Sequence, residues 1–334
     1  MRRRGHARDV DDAFARWKRH ETNDSRRKSH ARSVSRALVV IGVVIGVIGV
    51  MDVVAARRRR SDEDATRDDA ASRAFCAMSD PLVCAHGGEV LIGEMGNTAE
   101  ALRRARERGR KCVEIDVGRT RDGALMAMNA RDVKAFTRGV AEDIGEVTLE
   151  EVEAWNAETE GAMRALTLGE ALREVAGRGM AQITIDFKEN APLGRRGLAQ
   201  AAVAIANETK CEECLFWGKD DETIREALAL GARRVGYAVA NFSSAVRAAG
   251  MEKIHNGRVK GARVIALQSE MLTTEVVRRA RRLGLAVHVW TVNDVDRMRY
   301  VINHGVDGVL TDKPRELERV IAEFRTQCVD REGL

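Results

Sequence analysis

Between residues 82 and 310 the chain alternates short apolar runs with amphipathic stretches, and this rhythm limits the fold more than any other feature. The runs are LVCAH (82–86), CVEIDV (112–117), ALMAM (124–128), QITIDF (182–187), CLFW (214–217), RVGYAV (234–239), ARVIAL (262–267), LAVHVW (285–290) and DGVL (307–310). Helical patterns such as NTAEALRRARERG, TLGEALREVAGRG, TTEVVRRARRLG and DVDRMRYVINHG fall between most of them. Each pattern closes on the Gly expected just past a helix end. Strands that alternate with helices argue for a parallel sheet. Nine runs are one more than a (β/α)8 barrel needs. The gap between CVEIDV and ALMAM is too short for a crossover helix, and it holds RDG, a hairpin-turn signal. Those two runs are read as an antiparallel pair. The other eight then close a TIM-type barrel, and a span of about 240 residues is the usual size for one. A doubly wound open sheet is the alternative. Against it counts the lack of a Gly-rich phosphate fingerprint after the first strand.

Charge is unevenly spread. Residues 1–60 hold 16 Lys/Arg against 6 Asp/Glu, and the rest hold 40 against 45. The basic character belongs to the N-terminal segment, and the mildly acidic body gives no sign of a nucleic-acid role. Residues 1–36 form a basic polar tail, followed by ALVVIGVVIGVIGVMDVVAA over 37–56. Twenty residues at helical rise span roughly 30 Å, a bilayer core. About 36 polar residues precede the run, more than a cleaved signal peptide carries. The acids Asp9, Asp11, Asp12, Glu21 and Asp24 argue against a transit peptide. The segment is read as a single-pass transmembrane signal anchor. Arg32 and Arg36 before it nearly balance Arg57–Arg60 after it, and the longer basic tail tips the orientation towards an inside N-terminus. Sequons at Asn207 and Asn241 would then be usable. Residues 57–80 read as a charged linker, 81–325 as the barrel and 326–334 as a C-terminal tail.

Six Cys, at 76, 84, 112, 211, 214 and 328, are too few for a disulfide scaffold in a chain this size. The lone CEEC, Cys211 and Cys214, lacks the second pair a zinc ribbon needs. It is read as a local disulfide or two plain thiols.

In a barrel of this kind the site lies at the C-terminal ends of the strands. The first strand ends in His86-Gly87-Gly88, and the second carries Glu114 and Asp116. Residues i and i+2 on a strand share a face, so these carboxylates share one small volume if that face is the interior. Buried like charges are costly unless a cation or proton neutralises them. Asp186 and Lys188, again at i and i+2, add a third carboxylate and a cation. Three carboxylates suit Mg²⁺ or Ca²⁺, and Lys188 would suit a phosphate oxygen beside the metal. Trp290 and Asn293 end another strand, and LTDKP (310–314) follows the last. Taken singly, an ExD pair is commonly a solvated face and His86 a structural residue. The ordered set is what points to a site.

That order resembles the glycerophosphodiester phosphodiesterase family, related in barrel architecture to phosphatidylinositol-specific phospholipase C. The resemblance spans residues 82 to about 325. AHGG, GNTAEAL and GRKCVEIDVGRTRDGALMAM look like its opening block, and HVWTVNDVDRMRYVINHGVDGVLTDKP like its closing block, the more specific of the two. HGG, TKCEECLFWGKDD and the N-terminal apolar segment are similar to a plant and algal branch. The resemblance implies metal ligands at Glu114, Asp116 and Asp186, one catalytic His at His86, and substrate contacts at Lys188 and Trp290. It also implies metal-assisted phosphodiester cleavage, with one His as base and another as acid.

Two positions depart from the family. Gly87 stands where the family has an Arg, so one phosphate-binding cation is absent there. Asn129 stands at the position of the second catalytic His, and Asn cannot be a general acid. None of His255, His288 and His304 obviously substitutes: His288 reads as a neutral core residue, His304 as the end of a helix and His255 as part of a polar loop. The leading expectation is metal-dependent hydrolysis of glycerophosphodiesters to glycerol 3-phosphate and an alcohol, slowed at Asn129. The alternatives are a non-catalytic relative that binds phosphodiesters or a partner at a membrane, and a lysophospholipase D-like enzyme whose anchor holds it near lipid.

Overall fold

The computed structural model describes residues 75–332, apart from 77, 160–163, 242, 249 and 255–256. The apolar segment 37–56 lies outside the described residues. Among those described, no helix is long and apolar enough to cross a membrane.

The strands are β1 (Leu82–His86), β2 (Cys112–Arg119), β3 (Leu125–Ala127), β4 (Leu166–Thr167), β5 (Gln182–Phe187), β6 (Cys214–Gly218), β7 (Gly236–Val239), β8 (Val264–Gln268), β9 (Ala286–Trp290) and β10 (Gly308–Thr311). The helices are α1 (Ala99–Glu107), α2 (Ala130–Phe136), α3 (Leu149–Ala157), α4 (Leu168–Val175), α5 (Leu198–Glu208), α6 (Asp221–Ala229), α7 (Ser244–Ala248), α8 (Thr274–Arg282), α9 (Val295–Asn303) and α10 (Pro314–Glu332). Parallel pairings run β10–β1–β2–β5–β6 on one side and β7–β8–β9–β10 on the other. A parallel bridge between Phe216 and Val235 joins β6 to the approach of β7. The eight parallel strands expected from the sequence thus form a ring, with helices outside it.

The extra run is the expected hairpin. β3 pairs antiparallel with Val117–Arg119, beyond the stretch of β2 (Cys112–Glu114) that pairs with β1. Because β5 takes the opposite edge of β2 from Cys112 to Val117, β3 must lie on the β1 side. The hairpin therefore rises past the end of β1, where His86 sits. β4 adds two residues to β3.

Two apolar layers follow from strand alternation. Val113, Ile115 and Val117 of β2 face outward and join the core shared with Leu102 of α1 and Leu172 of α4. Cys112 faces inward and clusters with Cys84, Leu215, Trp217, Ala266 and Leu310 in the barrel interior. The inward face of β2 also carries Glu114 and Asp116, 1% and 0% exposed. Met126, Met128, Val133, Phe136 and Val152 form a third cluster under the insertion after the hairpin. Helix starts are capped by side chains: Thr98 accepts from Ala101 N at the head of α1, and Asp294 from Arg297 N at the head of α9. Gly109, at φ 74°, takes the left-handed turn that ends α1.

All six cysteines are paired, as Cys76–Cys328, Cys84–Cys112 and Cys211–Cys214. This corrects the expectation that six were too few for a disulfide scaffold. Cys84 and Cys112 are register partners on β1 and β2, and Cys76–Cys328 links residues 252 apart in sequence. Proximity of that kind arises only in the folded barrel. Phe75 is buried against Phe324, and α10 continues to Glu332. The ends of the linker and of the supposed tail are therefore parts of the barrel body.

His288 lies in the interior, as expected, with its ring packed edge-on to Trp217. Gln182 Nε2 is 3.4 Å from His288 Nδ1, and Gln182 Oε1 accepts from Arg234 at 2.6 Å. Burial, with Arg234 adding to it, pushes His288 down to about 4. Between pH 6.5 and about 4 the unfolded chain binds a proton here that the folded one refuses. Stability contributed by the neutral ring is therefore present above pH 6.5 and lost as pH falls through that window, up to about 3 kcal/mol. His288→Gln should flatten the acid side of the stability profile, measured as melting temperature between pH 7 and 4.5. An unchanged acid slope would show that His288 is not the sensor.

Candidate active site

The registers assemble the site. His86 is the partner of Glu114 across β1–β2, and Asp116 of Asp186 across β2–β5. Donor atoms of His86, Glu114 and Asp116 lie within 4.8 Å of one another. Lys188, one residue beyond β5, reaches back: its Nζ is 2.7 Å from Asp116 Oδ1 and also pairs with Asp186. The sequence grouped Asp186 with Glu114 and Asp116; in the structure it meets them through Lys188.

Neighbouring residues hold these groups in place. Asn97 donates to Asp116 Oδ2 at 3.1 Å and accepts from Asp116 N at 3.0 Å. Gly87 N donates to Glu114 Oε2 at 3.2 Å. Asp312 Oδ1 lies 2.7 Å from His86 Nδ1, and Asn293 bonds Asp312 in turn, accepting from Asp312 N at 2.8 Å. With Nδ1–H donated to Asp312, His86 Nε2 is left toward Glu114, 3.9 Å away. LTDKP marked the place of Asp312, but nothing in the sequence joins positions 226 residues apart.

Burial, then the charge on Asp116, pushes Glu114 up to about 8. Burial would raise Asp116 too, yet the Lys188 and His86 cations and a hydrogen bond from Asn129 hold its carboxyl well below the usual range. Burial pulls His86 toward neutrality, but Glu114 and Asp312 outweigh it and raise the ring to about 9. Burial keeps Asp186 above the ordinary carboxylate value against the pull of Lys188. Asp116 Oδ1 has an ion-pair neighbour in Lys188 but no donor in hydrogen-bond geometry. Compact oxygen donors with one imidazole fit a hard divalent cation.

A cavity of about 190 Å³ opens over these residues. Trp217 and Trp290 form an aromatic wall, and Trp290 Nε1 is tied to Ala266 O at 2.8 Å. Asn129, Arg131 and Lys219 complete the polar lining. Asn129 is the N-cap of α2, its Oδ1 accepting from Arg131 N at 3.0 Å. Of the other histidines, His288 is in the interior and His304 caps the end of α9, bonded to Tyr300 O. His255 lies outside the described residues. No described histidine besides His86 lines the cavity.

Acid, imidazole and ammonium groups gathered at the C-terminal ends of parallel strands place the chain among the (β/α)8-barrel enzymes. Residues 86–316 match the glycerophosphoryl diester phosphodiesterase family. A glycerophosphodiester phosphodiesterase of Arabidopsis thaliana is 30% identical over 255 residues, 75% of this chain and 76% of the relative. The solved glycerophosphodiester phosphodiesterase of Thermotoga maritima has a TM-score of 0.57 at 24% identity, covering 73% of this chain and 99% of that one. An Oleispira antarctica phosphodiesterase, solved with the product sn-glycerol-3-phosphate, has a TM-score of 0.58 at 23% identity, covering 72% and 97%. The chain belongs to the glycerophosphoryl diester phosphodiesterase family of enzymes.

Asp312→Asn should leave the fold intact and lower turnover about 10- to 100-fold, the usual cost of losing an orienting partner behind a site residue. Circular dichroism and kcat measured together test this. A rate equal to wild type would mean that His86 needs no carboxylate on Nδ1.

Proposed function

We propose that the protein hydrolyses glycerophosphodiesters to sn-glycerol 3-phosphate and an alcohol. The observation that carries this is the His86–Asp312 couple set against Glu114 and Asp116 in a cavity that Lys188 also enters. Water adds to phosphorus, the bond to the leaving alcohol's oxygen breaks, and that oxygen takes a proton. His86, steadied through Nδ1 by Asp312, moves the proton at Nε2. Lys188 offsets charge on the phosphoryl oxygens while keeping Asp116 ionised. Glu114, Asp116 and Asp186, with His86 at their edge, are the residues that would hold Mg²⁺ or Ca²⁺, whose chemistry there is polarisation of a phosphoryl oxygen.

Asn129 sits at the mouth with no proton to exchange. It caps α2, and the second transfer falls to water. Losing one proton-transfer partner costs about 10²- to 10⁴-fold, so the reading includes a slow enzyme rather than a fast one.

The reading also includes an anchor at 37–56 and a barrel on the oxidising side of a membrane. Support comes from the apolar run itself and from three disulfides, which form and persist in oxidising compartments. An anchored barrel would meet lysophospholipids as well as free diesters, and both belong in one assay.

Asp116→Ala should abolish metal-dependent release of glycerol 3-phosphate. Asn129→His, assayed beside wild type with Mg²⁺ and with Ca²⁺, should raise the rate about 10²-fold if only an acid is lacking. Inert protein in both forms, with either metal, would reject hydrolysis as the function.

A further inference from the structure

A phosphodiester entering this cavity carries negative charge toward Glu114, Asp116 and Asp186, so its phosphoryl oxygens need cations of their own. Besides His86, three cationic side chains among the described residues line the cavity: Lys188, Lys219 and Arg131. Lys188 is already shared between Asp116 and Asp186. Lys219 lies over the Trp290 ring, 6.0 Å from its centroid, and its charge acts on Asp186.

Arg131 differs from both. Its guanidinium makes no hydrogen bond among the described residues. Among the described residues its one ion pair is with its neighbour Asp132, at 3.7 Å, its charge also reaches Asp312, and half of its side chain is exposed. Its backbone is nevertheless fixed, because Arg131 N donates to Asn129 Oδ1 at 3.0 Å. One amide at the cavity wall, beside the acidic cluster, therefore holds the base of the arginine. The other wall cannot easily provide a cation. Gly87 has φ +66°, and a Cβ there would stand 3.2 Å from Gly96 Cα and 3.3 Å from Asn97 N.

We propose that Arg131 grips the phosphoryl oxygens alongside Lys188, as a bidentate clamp whose base is held by Asn129. This rests on the hydrolytic reading above and gives position 129 a task other than proton transfer. A planar guanidinium offers two parallel N–H donors to a phosphate, which an ammonium cannot reproduce. The clamp would hold the glycerol phosphate half in substrate and product alike, leaving Trp290 and Lys219 to the alcohol side.

The test is binding of sn-glycerol 3-phosphate to the full chain with Mg²⁺ or Ca²⁺ present, by titration calorimetry, for wild type, Arg131→Gln and Arg131→Lys. Melting temperatures are recorded alongside. Arg131→Gln should weaken binding about 10- to 100-fold, and Arg131→Lys should recover part of the loss, with melting unchanged. Binding by Arg131→Gln as tight as wild type overturns the clamp and leaves the hydrolytic reading standing. A fall in melting temperature that accounts for the loss assigns Arg131 to folding and also overturns the clamp. Wild-type protein that neither binds nor releases glycerol 3-phosphate overturns both readings.

Discussion

Two carboxylates on one inward face of β2 are the constraint around which the rest is arranged. Unit charges about 4 Å apart at an effective dielectric of 20 repel by about 4 kcal/mol, before any cost of burial. Glu114 and Asp116 are both buried, and neighbouring strands supply what offsets them. β1 ends in His86, the turn after it gives the Gly87 amide, and β5 runs on to Lys188. Asn97, ahead of α1, clasps Asp116 from both sides of its amide. A barrel can do this because parallel strands bring all their C-terminal ends to one face. An open sheet edge would have left half of these groups in water.

The ring of strands was legible because each strand falls on a short run rich in apolar residues, set off from the helical patterns on either side. β1 and β5 begin and end where the apolar runs do. β4 was not legible, since two residues, Leu166 and Thr167, carry no pattern. Nor was the insertion of α2 and α3, whose cluster of Met126, Met128 and Phe136 follows no simple period. Within the site, Glu114, Asp116, Asp186 and Lys188 were found by the two-residue spacing. Asp312 and Asn97 were not, because their roles are to hold other side chains, and such pairings depend on three-dimensional closure. The cysteines fail for the same reason: Cys76 and Cys328 meet only once the last helix has returned to the first strand.

Asn129 shows how one side chain changes a site without emptying it. As a residue with an acceptor oxygen, it ties the start of α2 to the cavity mouth. An imidazole there would have carried a proton and given up part of that tie. The family fold is kept by the barrel, so the mouth is where such exchanges occur at little cost to stability.

The disulfide between Cys84 and Cys112 sits one inward position below His86 and Glu114. A hydrogen-bonded pair of strands can slip or breathe, and every side chain above then moves with it. A covalent rung at that level removes the slide as a mode of motion. The strands that carry the imidazole and the carboxylate are thereby pinned in register one step below them. The same pairing of strands that closes the disulfide therefore sets the imidazole opposite the carboxylate.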